Sequence, residues 1–222
     1  MTFRELINEV LIRLREETIT ADWTGDINNA VTLTGYQKVV GSLINDSKRS
    51  VESYHDWLNL RETVSITTVD GQKNYNLLSG QEIKVIDVVN QSKGNNLVQV
   101  SRQYMNSVKY PTEASGDPQY YAFSGSDTSN NLKVDLTPIP NEENIISFDL
   151  VKYQDELKSA TTVMKVPTNP VVLGAWARAI SERGEDGGTQ SGIVGMEMKE
   201  SLNQAIILDS GNTQYETDWF VK

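Results

Sequence analysis

The chain has 222 residues, with 20 Lys plus Arg against 30 Asp plus Glu, a formal charge of −10, and no cysteine. That acidity argues against an autonomous nucleic-acid-binding domain, whose affinity comes largely from cations meeting phosphates. The missing cysteines exclude disulfides, thiolate zinc sites, iron–sulfur clusters and thiol nucleophiles, and fit a reducing compartment.

The chain opens on a helix signal. Thr2-Phe3-Arg4-Glu5 has capping-box spacing, and Phe3, Leu6, Ile7, Val10, Leu11 and Leu14 recur on one face. Residues 18–32 read as a loop rich in Thr, Asp, Asn and Gly. A longer helix follows from about Thr34 to Leu58, with Tyr36, Val40, Leu43, Ile44, Ser47, Val51, Tyr54 and Leu58 forming its stripe. From Arg61 the period changes to two. Val64, Ile66 and Thr68 alternate with polar neighbours, Asp70-Gly71 supplies a hairpin turn, and Tyr75 and Leu77 continue beyond it. Strand-like runs recur at 83–89, 97–100, 120–123, 132–136 and 145–153, with a short helix or turn over 101–110. About seven short strands without a long helix between them predict an antiparallel sandwich or barrel. Helices return after Val166. Asn169-Pro170 reads as an N-cap and first helical residue, Arg183-Gly184 as a stop, and 184–192 as a mobile glycine-rich linker. A last helix is expected over about Ile193 to Asp209, with Met198, Leu202, Ala205 and Ile206 inward and Ser210-Gly211-Asn212 ending it.

The predicted fold is α+β, with N- and C-terminal helices packed as a bundle around an inserted antiparallel β-sandwich or barrel. The divisions are 1–60 for the first helices, 61–166 for the β-domain, 167–209 for the helices completing the bundle, and 210–222 for an extended docking tail. No internal repeat is visible. No apolar run nears the roughly 20 residues of a membrane span. Met1-Thr2-Phe3-Arg4-Glu5 holds no signal-peptide core, so a soluble protein made in the cytoplasm is expected.

The residues offer no catalytic set. His55 is the sole histidine, and its neighbour Asp56 cannot face it from the next position on a helix. It reads as a surface or helix-end residue, and no Gly-x-Ser-x-Gly elbow accompanies it. The carboxylate pairs Glu16-Glu17, Glu142-Glu143 and Asp155-Glu156 are sequence neighbours. Adjacency does not set the separation of about 5–9 Å across a scissile bond that glycoside hydrolysis needs. The Ser126-to-Asn131 loop lacks the calcium-loop pattern and reads as a hairpin turn. Gly184 to Gly192 has no Gly-Lys-Ser/Thr, and Glu185 and Asp186 would repel phosphate. No enzyme activity, cofactor or metal is expected. Tyr215, Trp219 and Phe220 stand out, since large aromatics beyond the last helix need a surface to dock on.

The order of elements carries a resemblance. Trp57-Leu58 precedes the first strand, and Gly71-Gln72-Lys73-Asn74-Tyr75-Asn76-Leu77 forms a Gly…Tyr-x-Leu hairpin. Gly116-Asp117-Pro118-Gln119-Tyr120-Tyr121 and Leu132-Lys133-Val134-Asp135-Leu136-Thr137-Pro138-Ile139-Pro140 follow. Phe148-Asp149-Leu150-Val151-Lys152-Tyr153 then leads through Leu157 to Val166-Pro167 and a helix with Ala175, Ala177 and Ala179. This series, over about residues 1–209, resembles the head-to-tail adaptors of tailed phages, and most closely the tail tubular protein A-like adaptors of podophages. One departure is Tyr75-Asn76-Leu77-Leu78, where many such proteins have proline after the leucine.

The resemblance implies a structural virion protein of the neck, made in the host cytoplasm. Its ring of about twelve copies would sit between the portal protein and the tail nozzle protein and line the DNA exit channel. DNA would pass without specific binding, no membrane would be involved, and Tyr215, Trp219 and Phe220 would dock on the portal. The alternatives are a β-sandwich ligand- or carbohydrate-binding module of a phage tail, with Tyr110, Tyr120, Tyr121 and Phe123 as a stacking platform, and a hydrolase using acidic residues.

Overall fold

A computed structural model describes residues 1–79, 83–107, 115–129, 131–184 and 188–212. The chain divides into two compact units, Met1–Leu60 with Gln154–Lys222, and Arg61–Tyr153. Among the described residues the architecture is α+β, with five α-helices and two four-stranded sheets.

In the first unit, helix α1 (Phe3–Arg13) begins at Thr2, whose hydroxyl accepts from the Glu5 amide while Glu5 accepts from the Thr2 amide. Phe3, Leu6, Ile7, Val10 and Leu11 are all fully buried. Each such side chain contributes about 1.5–3 kcal/mol by leaving water. Helix α2 (Gly35–Tyr54) starts on a second reciprocal box between Thr34 and Gln37. Its buried stripe runs Val40, Gly41, Ile44, Ser47 and Val51. Gly41 permits a close approach, because a Cβ there would lie 2.4 Å from Ile27 Cδ1 and 3.3 Å from Phe3 Cζ.

Helix α2 stops earlier than its stripe predicts. His55 is its C-cap, and Tyr54 and Leu58 are exposed at 62% and 42%. Trp57 takes the buried place instead, at 1% exposure, donating its indole N–H to the Val51 carbonyl at 2.9 Å.

Helix α4 (Thr168–Arg183) packs on α1, α2 and α5 (Thr189–Asn212). It begins at Thr168 after Pro167, without a side-chain cap. Asn169 instead donates to Ser201 Oγ at 2.7 Å, so its amide serves helix–helix packing rather than the expected capping. Gly184, at φ +67°, ends the helix as Arg183-Gly184 predicts. Helix α5 is longer than expected at both ends: Gly192, Gly195 and Gly211 lie inside it. A glycine costs a helix only about 1 kcal/mol relative to alanine. Packing of Val194 against Leu173 and Ile180, with Leu202 also buried, outweighs that. Residues 189–192 therefore belong to the helix and not to a linker, and 210–212 lie within it.

The second unit holds β1 (Arg61–Thr67), β2 (Asn74–Ser79), β3 (Ile83–Asn90), β4 (Asn95–Asn96), β5 (Val98–Gln99), α3 (Arg102–Ser107), β6 (Tyr120–Ser126), β7 (Asn131–Thr137) and β8 (Ile145–Lys152). The sheet orders are β1-β8-β3-β4 and β2-β7-β6-β5, and neither closes into a barrel. The β5–β6 pair is parallel; all other strand pairs are antiparallel.

The Asp70-Gly71 turn does not close a hairpin. It carries the chain from one sheet to the other, since β1 pairs with β8 and β2 with β7. One core explains the arrangement: Ile66, Val88, Ile146, Phe148 and Leu150 from the first sheet cluster with Tyr75, Leu77, Tyr121, Val134 and Leu136 from the second. The Tyr75 hydroxyl pins the turn, accepting from the Val69 amide at 2.9 Å and donating to the Gln72 carbonyl at 2.8 Å.

Candidate functional site

Tyr215, Trp219 and Phe220 lie outside the described residues, as does Tyr110. Of the remaining aromatic-platform residues, Tyr121 is buried edge-on against Phe148 and Phe123, inside the β-unit core. Tyr120 is half-buried beside Tyr104.

The carboxylate pairs meet cations rather than each other. Glu16 accepts from Arg183, Glu142 from Lys93, and Glu156 from Arg49 at 3.4 Å. The Lys93 ammonium holds the Glu142 carboxyl below its ordinary range. Asp127 organises the β6–β7 turn by accepting from the amides of Ser129 and Asn131, both at 2.8 Å, and these bonds lower its pKa. Among the described residues, no group of three or more His, Asp or Glu is placed to hold a metal ion. None of the described helices is long and apolar enough to cross a membrane.

His55 has a partner that adjacency in sequence conceals. Its Nε2 lies 3.0 Å from Asp209 Oδ2 on α5, and the same oxygen accepts from the Leu58 amide at 3.1 Å. The imidazole also meets Trp57 edge-on, with centroids 5.0 Å apart. These contacts tie the end of α2 to the last turns of α5. Their geometry is that of a structural clasp.

Two features of the helical unit are open to solvent. One is a cavity of about 400 Å³ where the C-terminal ends of α1 and α4 meet the start of α5. Arg13, Arg15 and Arg183, three of the eight arginines in an acidic chain, line it together with Leu14, Trp176 and Ile180. The Arg13 guanidinium lies 5.5 Å from the Trp176 ring centre, and that of Arg183 lies 4.6 Å from Tyr36. Arg183 is also bound to Glu16, while Arg15 makes no ion pair among the described residues.

The other feature is the outer side of α5. Val194 and Leu202 turn toward α4, whereas Ile193, Met196, Ile207 and Leu208 are 55%, 73%, 70% and 72% exposed. Glu197 and Glu200 are exposed among them. The sequence signalled this surplus. More apolar residues fall on this helix than one face against α4 can take, and four of them lie off the Met198–Leu202–Ala205–Ile206 stripe.

A family model for the SU10 adaptor protein matches residues 1–217. The chain belongs to the SU10 adaptor protein family. No curated protein matches it. Membership in this family makes the protein a phage structural adaptor, a component of the head–tail junction that meets other head and tail proteins. The match is to the adaptor class. Among the described residues, the arginine cavity and the outer α5 face of this SU10-family adaptor are surfaces open to a partner.

Proposed function

We propose that this SU10-family protein is a head-to-tail adaptor of the tail tubular protein A-like kind. Its ring of about twelve copies sits between portal and tail nozzle and lines the DNA exit channel. The family match over residues 1–217 carries the reading. In this reading the helices form the ring's bundle, the two sheets project as a sandwich, and the protein catalyses no reaction.

Physical chemistry supports three parts of it. Each copy carries −10, so a ring would carry on the order of −120, and phosphates would be repelled along its bore within a screening distance of about 10 Å at 0.1 M salt. Tyr215, Trp219 and Phe220 are anchors for pockets on the portal, where truncating a buried aromatic often costs about 2 kcal/mol or more. Ordering a tail opposes docking by about 1–2 kcal/mol per residue, so polar contacts alone would not hold it.

Deleting residues 213–222 tests the docking. The truncated protein should keep its melting temperature and lose attachment to portal rings in a sedimentation assay. Collapse of stability with attachment retained would overturn the anchor assignment.

A further inference from the structure

We propose that the arginine cavity of one copy receives the outer face of α5 from a second copy. This deepens the ring reading and rests on it. Three observations point the same way.

First, α5 is apolar on opposite sides, and α4 covers only one of them. A helix apolar on both sides belongs between two partners. Ile193, Met196, Ile207 and Leu208 at 55–73% exposure amount to roughly 500 Å² of side-chain surface, more than half of the about 800 Å² that each partner contributes to a standard interface.

Second, the charges select the partner. Glu200 lies in the middle of the outer face with Glu197 beside it, and both are exposed. Two α5 helices laid antiparallel would bring Glu200 against its own copy, which disfavours a symmetric pair. The cavity offers the carboxylates the Arg15 guanidinium, beside Arg13 and Arg183, which share their charge with Glu9 and Glu16, and its rim offers Trp176 and Leu14 to the apolar side chains. Two different, complementary surfaces on one chain make a head-to-tail contact, the kind that closes into rings.

Third, Arg15 occupies a backbone position that suits glycine. It follows the Leu14 cap of α1 at φ +58°, and among the described residues it is the sole non-glycine with positive φ. The Glu16 amide donates to the Leu11 carbonyl at 2.9 Å and the Arg15 amide to that of Ile12 at 3.0 Å, closing a Schellman turn. An arginine there is strained relative to glycine and makes no ion pair within its own described chain. Its side chain is explained by a partner.

Full-length wild type, Arg15→Gly, Arg15→Glu, Glu200→Arg and the Arg15→Glu/Glu200→Arg double variant test this. Self-association is followed by light scattering over a concentration series, alone and on portal rings, with melting followed in parallel. Arg15→Gly should melt no lower than wild type, since glycine suits the turn, yet associate at least tenfold more weakly. Each charge reversal should weaken association by tenfold or more, and the double variant should recover most of the loss. Wild-type association in both reversals, or a double variant no better than the worse single, overturns the pairing while leaving the ring intact. So would loss of binding to a DNA duplex in Arg15→Gly with association unchanged. A wild type that never associates, alone or on the portal, overturns both this inference and the ring.

Discussion

Removing the carboxylate of Glu52 should destabilise the helical unit more than removing both members of its ion pair. Glu52 and Lys48 lie one turn apart on α2, with side chains only 1% and 3% exposed. Lys48 Nζ donates to both Glu52 oxygens at 3.0 and 3.1 Å and to the Gln154 carbonyl. The Gln154 amide in turn donates to Glu52 at 3.2 Å. The pair thus fixes residue 154 against α2.

Glu52→Ala leaves an ammonium in the core with one carbonyl, and stranding a buried charge costs about 3–5 kcal/mol. Lys48→Met strands the carboxylate at a similar cost. In Lys48→Met/Glu52→Leu no charge is stranded; the remaining loss is that of the two orphaned Gln154 groups, about 2 kcal/mol. At about 2–4 °C per kcal/mol for a chain of this size, the single variants should melt on the order of 10 °C lower, and the double variant should fall between them and wild type. Urea and thermal unfolding followed by Trp fluorescence provide the measurement. A double variant whose loss equals the sum of the singles would refute the reasoning.

The same site has a pH signature. Burial raises the Glu52 pKa above 4.5, against the pull of Lys48 and the Gln154 amide. The folded state therefore binds this proton more tightly than the unfolded chain. The stability it adds is full below the unfolded value and is lost as pH rises through the folded one. Wild type should gain on Glu52→Gln as pH falls from about 7 toward 4.5.

Asp209→Ala should release the end of α5 by leaving His55 and the Leu58 amide without their shared acceptor, costing about 1–3 kcal/mol. Hydrogen exchange should rise over 200–212 and stay unchanged in the β-unit. Tyr75→Phe should cost about 1–3 kcal/mol in the β-unit, because the Val69 amide and Gln72 carbonyl lose the phenolic oxygen, and proteolysis should accelerate at residues 69–74. Thr34→Ala, which removes one of two helix-starting boxes, should cost about 1 kcal/mol in urea unfolding and leave self-association unchanged.

Local signals in the sequence were strong where one residue type has one job. Thr2 and Thr34 begin helices because their hydroxyls meet free amides, and Gly184 ends one because it tolerates positive φ. The alternation Val64, Ile66, then Tyr75, Leu77 correctly marks strands, but not their partners. Two inward-facing strands flanking a turn look alike whether they share a sheet or face each other across a core, and here they do the latter.

The surfaces were hidden for a related reason. Arg13 and Arg183 are 170 positions apart, as are Arg13 and Trp176 nearly so, and only the crossing of α1 with α4 brings them to one cavity. His55 looked idle because its partner comes from α5. The outer α5 face was readable in principle. Gly192 and Ser210-Gly211-Asn212 shorten the expected helix, yet Ile193, Met196, Ile207 and Leu208 all fall inside it.

The most direct test of the adaptor assignment is the mass of the particle formed when the full-length protein is mixed with portal rings from its own phage. The account predicts one discrete species, heavier than the portal by a whole number of adaptor copies close to twelve, and a ring-shaped added density at one end of the portal in electron micrographs. A portal mass unchanged by saturating adaptor, with the adaptor still monomeric, would contradict it.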